Sequence, residues 1–175
     1  MKFTKAALMT LMLVAPMGTS QAATSATATL TINVTFTTPS CDITVPSSYN
    51  LGILTPGSKE HGDLKITWNC TEAGATPLNI KTALTAAIVA GTPEGENKVR
   101  LMSGGQASGA TLSLREKSTQ SFIKLTSAVK KNYFCSDATE TSEQRTCTLT
   151  PVTDVSSTGP FGMASATLRF EVGYP

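Results

Sequence analysis

FGMASATLRFEVGYP, residues 161–175, carries an apolar side chain at every second position: Ala164, Ala166, Leu168, Phe170, Val172 and Tyr174, with mostly polar residues between them. A period of two is that of a half-buried strand, because successive side chains of extended backbone point to opposite faces. The pattern runs to the penultimate residue. Chain ends fray unless they are tied down, so a strand this regular at a terminus predicts that something holds it.

A second strand-like pattern lies near the other end. ATSATATLTINVTF, residues 23–36, places Ala26, Ala28, Leu30, Ile32, Val34 and Phe36 on one face, with Thr and Asn opposite. Ahead of it, residues 1–22 hold Lys2 and Lys5, an apolar run over 6–14 broken only by Thr10, and the small residues Ser20 and Ala22 where a signal peptidase reads. This is the plan of a secretory signal peptide, and its apolar run falls well short of the roughly 20 residues of a membrane span. Two strongly patterned end strands can pair within one molecule, or the first can be lent to a neighbour.

Removal of the signal settles the charge. The chain has 14 Lys+Arg and 12 Asp+Glu, and only Lys2 and Lys5 lie in the signal, so the mature balance is 12 against 12. No electrostatic basis remains for binding nucleic acid or an anionic membrane surface. The mature chain of 153 residues, 175 less the first 22, is one domain with a single core.

Cys41, Cys70, Cys135 and Cys147 all remain, and an exported chain meets an oxidising compartment, so two disulfides are expected. Three pairings are possible. The short spacing of Cys135 and Cys147 favours a local hairpin staple, leaving Cys41 with Cys70. No spacing is CxxC and His61 is the only histidine, which argues against zinc.

Thr, Ser, Gly and Pro punctuate the rest at short intervals, in TPGSKEHGD, GTPEGENK, MSGGQASG and SSTGPFG. Runs with β character lie between them at 29–37, 41–45, 64–70, 78–89, 98–102, 111–114, 122–126, 132–135, 146–152 and 164–174. Many short strands with frequent turns point to a sandwich or barrel. LNIKTALTAAIVA has helix formers, but Leu78 and Ile80 alternate and Pro77 and Gly91 bracket it, so strand is preferred.

In order along the chain stand the alternating extension, TPSC ending at Cys41, the segment YNLGIL, and DLKITWNC ending at Cys70. At the far end Gly162 is fourteenth from the last residue, alternating apolar residues follow, and tyrosine is penultimate. The layout resembles the fimbrial pilins of chaperone-usher pathways in Gram-negative bacteria, and the resemblance covers the whole chain. Two features depart from it: Val34 stands where members often have glycine, and four cysteines replace the usual two.

The resemblance implies an all-β fold, an incomplete immunoglobulin-like sandwich lacking its final strand. It divides the chain into a signal peptide (1–22), a donor-strand extension (23–37, overlapping the first strand) and a pilin domain (38–175). The last strand, with Gly162, Ala164, Ala166, Leu168, Phe170, Val172, Tyr174 and Pro175, would border the groove of the missing strand. A periplasmic chaperone would fill that groove first, holding the Pro175 carboxylate. The extension of a neighbouring pilin subunit, through Ala26, Ala28, Leu30, Ile32, Val34 and Phe36, would replace it at an outer-membrane usher. The destination implied is a cell-surface fimbrium that supports adhesion, with a host receptor as a further partner and no nucleic acid. A self-contained secreted binding module that uses its loops is the alternative.

No catalytic, cofactor or metal site is expected. His61 lies in a turn-like GSKEHGD with Glu60 and Asp63 nearby, which reads as a solvated loop rather than a catalytic group. SGGQASG lacks the lysine and the strand-to-helix context of a phosphate loop and reads as a turn. Trp68 reads as core packing. Asn33-Val34-Thr35 and Asn69-Cys70-Thr71 match a glycosylation pattern that carries little weight in a bacterial fibre subunit.

Overall fold

The structure is a computed structural model that describes residues 31–32, 39–72, 76–125 and 132–175. Among the described residues all regular structure is β, and no helix is long and apolar enough to cross a membrane. The described residues form nine strands: β1 (Ser40–Thr44), β2 (Gly57–Glu60), β3 (Leu64–Thr71), β4 (Ala83–Ala90), β5 (Thr92–Glu94), β6 (Lys98–Ser103), β7 (Gln106–Glu116), β8 (Arg145–Val155) and β9 (Thr167–Gly173).

Seven of them form one antiparallel sheet. Its order is β1-β3-β8-β7-β6-β5, with β2 also pairing β8, while β4 and β9 form a two-stranded sheet. The long strands have alternating sequence, as LKITWNCT in β3 and RTCTLTPVTDV in β8, so each buries one face and solvates the other. Ile66, Leu84, Val99 and Leu149 are fully buried where the two sheets meet, with Trp68 and Leu114 beside them. The β6–β7 hairpin turns on Gly104 and Gly105, at φ 57° and 83°. Two positive φ values in a two-residue loop match the twist of the flanking strands, and glycine adopts them without a Cβ penalty.

Several boundaries differ from the sequence reading. The strand expected over 78–89 begins at Ala83, and residues before it make only a bridge at Ile80. The described residues of the runs at 122–126 and 132–135 contribute a single bridge each, at Phe122 and Phe134. Conversely, Gly57–Glu60 and Thr92–Glu94, which read as turns, are short strands. Both are polar and solvent-facing, so no apolar alternation marks them; a neighbour's free edge makes them strands. The expected strand over 29–37 lies, except for Thr31 and Ile32, outside the described residues.

The disulfides are Cys41–Cys70 and Cys135–Cys147. Cys41 and Cys70 face each other directly across the β1–β3 ladder. The second bond is not a hairpin staple: Cys147 belongs to β8 in the large sheet, and Cys135 lies in a non-strand segment alongside β4, so it ties one sheet to the other.

Candidate functional site

β1 and β9 are edge strands, and they differ from the strands beside them in one respect. In β3 and β8 the inward residues are almost all fully buried, whereas in β1 and β9 the same inward positions, Cys41, Ile43, Leu168, Phe170 and Val172, are only half-buried. They pack against the core on one side. Leu168 and Phe170 of β9 border on their other side an open groove of about 960 Å³, which begins beside β1 at Val45, just past its end.

One wall of the groove is residues 45–54, which continue from β1, and the other runs from Pro160 to Phe170. The large sheet contributes Leu64, Leu101, Ala110, Leu112, Leu114 and Val155. The lining is thus mainly apolar beside strand backbone, with Ser47, Ser48, Asn50, Ser108, Ser165 and Thr167 interspersed. β9 pairs β4 along one edge, and just before it Ser165 exchanges two backbone bonds with Met102 of β6, at 2.8 and 2.9 Å. Among the described residues no strand pairs the other edge of β9.

The two ends of the groove are unlike. Beyond one end, past Phe170, the Tyr174 hydroxyl donates to the Pro39 carbonyl at 3.4 Å and lies 3.3 Å from Cys41 Sγ, joining the end of β9 to the start of β1 and closing that end. The Tyr133 hydroxyl donates to the Tyr174 carbonyl at 3.1 Å. At the other end Ile53, Phe161 and Met163 are 90%, 69% and 94% exposed. This mouth is apolar and open.

Of the residues singled out at the chain terminus, Gly162, Ala164, Ala166, Leu168 and Phe170 line the groove. Val172 packs on the core, Tyr174 closes the end, and Pro175 is exposed. Of the extension, Ile32 is described and is exposed, in no strand, while Ala26, Ala28, Leu30, Val34 and Phe36 lie outside the described residues. The sequence reading missed the opposite wall. Its signal was the apolar Leu51, Ile53 and Leu54 in YNLGIL, a stretch that forms no strand and has no alternation to mark it.

Polar groups elsewhere are committed to structure. Glu60 pairs with Arg115 at 2.7 Å, Asp63 with Lys117 at 2.5 Å, and His61 Nε2 lies 2.8 Å from Thr153 Oγ1, so this trio does not converge. Burial lowers the His61 pKa below 6.5, with the Lys59 ammonium adding to the effect. Among the described residues no three His, Cys, Asp or Glu side chains gather as metal ligands would. What the arrangement can do is accept an extended strand, whose backbone would pair with β9 and whose alternate side chains would fill the apolar row.

No protein-family model and no curated protein matches the sequence. Solved structures do match in fold. One is a chain of a chaperone-usher pilus whose structure reveals the molecular basis of rod uncoiling. It is 15% identical with a TM-score of 0.55, over 86% of this chain and 96% of that one. Another is the P pilus rod subunit PapA, 17% identical with a TM-score of 0.56, over 77% of this chain and 99% of that one. A core of two sheets, an edge of β9 that no strand pairs among the described residues, two pilus subunits as structural neighbours and an alternating terminal strand agree: the chain has the chaperone-usher pilin fold, an all-β, incomplete immunoglobulin-like sandwich.

Proposed function

We propose that this protein is a structural, non-enzymatic subunit of a surface fimbria, and that its groove is the acceptor for a donor strand. The observation that carries the reading is the half-burial of Leu168 and Phe170, inward residues of β9, beside one mainly apolar groove whose opposite wall continues from β1; the inward residues of β1 are half-buried as well. A sandwich that was complete would bury those positions as it buries those of β3 and β8. An edge left open in this way presents unpaired backbone and bare core, which soluble proteins avoid. Export then requires a temporary occupant, a periplasmic chaperone strand, and assembly a permanent one, the extension of a neighbouring subunit delivered at the usher.

The extension has the right chemistry. Leu30, Ile32, Val34 and Phe36 would each contribute roughly 1.5 to 3 kcal/mol on full burial, and each ladder hydrogen bond about 0.5 to 1.5 kcal/mol net. Ordering the segment costs about 1 to 2 kcal/mol per residue, so side-chain packing has to carry the balance. Size complementarity also sets a direction. The extension runs from small (Ala26, Ala28) to large (Val34, Phe36), and the alternate residues of the groove wall run from small (Gly162, Ala164, Ala166) to large (Leu168, Phe170), with Phe161 and Met163 on the intervening positions at the mouth. Antiparallel pairing sets large against small throughout, whereas parallel pairing crowds one end and leaves the other empty.

The test compares thermal unfolding of two proteins with disulfides intact, residues 38–175 alone and the same chain with residues 23–36 appended through a flexible linker. The expected result is a monomer of far higher midpoint for the second, and a marginal or aggregating first. Equal, high midpoints for two monomers would mean that the sandwich is complete without a donor, and the fimbrial reading would give way to a self-contained binding module.

A further inference from the structure

The second disulfide has a role that reinforcement of a loop does not explain. Residues 132–141 run along the outer edge of β4: Phe134 exchanges both backbone bonds with Leu84 at 2.9 Å, Asp137 N–H donates to the Thr82 carbonyl at 2.9 Å, and Thr141 exchanges two with Ile80 at 3.3 Å. Anchoring on β4 would be complete with those bonds. Yet the two residues just before Cys135 reach past β4 to β9. The Phe134 ring meets the Phe170 ring edge-on at 6.4 Å, and Phe170 lines the groove. The Tyr133 hydroxyl holds the Tyr174 carbonyl at 3.1 Å.

Local geometry is arranged for this contact. A Cβ on Gly173 would come within 2.7 Å of Tyr133 Cε1, so the absence of a side chain there is what lets the ring lie across β9. Cys135 itself sits at φ 46°, a conformation that costs a non-glycine residue about 1 kcal/mol or more and persists only where neighbours impose it. Here the disulfide to β8 lies on one side of it, and the paired backbone of Phe134 on the other.

We infer that residues 132–137, tied to β8 by Cys135–Cys147, are a positioning element for the acceptor groove, holding its closed end through Tyr133 and Phe134 and so setting how tightly a donor strand is gripped there. This rests on the donor-strand reading above. Tyr133 is not among the residues that line the groove; it acts through Tyr174 and the end of β9.

The experiment uses the mature chain and a fluorescent synthetic peptide of residues 23–37, with release followed by anisotropy after an unlabelled chase. Two shorter peptides, residues 23–32 and 29–37, report the closed and the open end separately. Tyr133→Phe removes one hydrogen bond and leaves the ring, so peptide 23–37 should leave roughly three- to tenfold faster. Peptide 23–32 should show the same acceleration and peptide 29–37 none. Gly173→Ala, which displaces the ring by a different route, should reproduce the pattern, and Cys135→Ser with Cys147→Ser should exaggerate it. Unchanged release of all three peptides would overturn the inference, and so would equal acceleration of all three, since general loosening does not choose an end. If the natural chain captures no peptide at all, the donor-strand reading itself fails and the inference with it.

Discussion

The two-stranded sheet has two outer edges, and the molecule treats them in opposite ways. The outer edge of β4 is covered from within by residues 132–141, through backbone bonds, a disulfide to β8 and a buried ion pair. The outer edge of β9 is paired by no strand among the described residues and faces the apolar groove. Both edges expose the same kind of backbone, so the difference is not one of local chemistry. It teaches that the open edge is not a general looseness of this fold: where permanent closure is wanted, the chain supplies it covalently. An edge left bare beside a row of half-buried apolar residues is suited to an occupant that can be exchanged.

Breaking the closed edge should have the largest effect. Asp137 accepts from Arg145 Nε at 2.9 Å and from both the backbone N–H and the hydroxyl of Thr82 at 2.8 Å, and Thr82 in turn accepts from Trp68 Nε1 at 2.8 Å. Asp137→Ala leaves the Arg145 guanidinium buried without its counter-charge, which costs about 3 to 5 kcal/mol. Chemical denaturation of the strand-complemented protein should show that loss. A loss under about 1 kcal/mol would mean that the closed edge is held by its backbone bonds and the disulfide, without the ion pair.

At the open edge the expected effects move from stability to assembly. Ile32 is 74% exposed, so Ile32→Asp should leave the stability of its own domain within about 0.5 kcal/mol. As a donor residue it would carry a charge into an apolar groove, and incorporation into fibres should fall by about 100-fold or more. Normal incorporation of the Ile32→Asp subunit would show that residues 26–36 are not the donor.

The contrast between the edges also explains what could be read from the sequence. β3, β8 and β9 were legible because each buries one face, and Ile66, Trp68 and Leu149 leave a period-two trace whichever strands they pair with. The disulfide pairing is the one that spacing favoured among three, although Cys135–Cys147 ties the two sheets together instead of stapling a hairpin. The run 132–135 was misread as a strand because Phe134 and Cys135 are apolar; the structure of the longer segment 132–141 comes from Asp137, Arg145 and Thr82, residues far apart in sequence whose bonds leave no periodic mark. The groove wall over residues 45–54 was hidden for the complementary reason. Its Leu51, Ile53 and Leu54 line a space rather than a partner strand, so nothing fixes their spacing.

The groove mouth offers a finer test of the same contrast. Ile53 and Met163 bury little in the isolated domain, and Ile53→Ser should change its stability by less than about 0.5 kcal/mol. Once a donor covers the mouth the side chain would be buried, and its loss should weaken strand capture by roughly tenfold. Equal effects on both measurements would mean that Ile53 supports the fold rather than the occupant.

The smallest expected effect lies away from both edges, at His61. Burial, then Lys59, holds its pKa below 6.5, so above that pH the imidazole is neutral in both folded and unfolded states and its contribution is whole. As pH falls through the window between 6.5 and the lower folded value, the unfolded chain takes up the proton first, and stability declines. Carboxylates titrate mainly below about pH 5, which leaves the upper part of that window to this one group. His61→Gln removes the titration and should flatten the slope of stability between pH 5 and 6.5, measured by denaturant midpoints. Because His61 contacts Thr153 in β8 and not the groove, release of the donor peptide should be insensitive to the same pH change. A donor that left faster as His61 titrated would mean that the large sheet and the open edge are mechanically linked, and that the closed edge is not the only part of the fold that sets the grip.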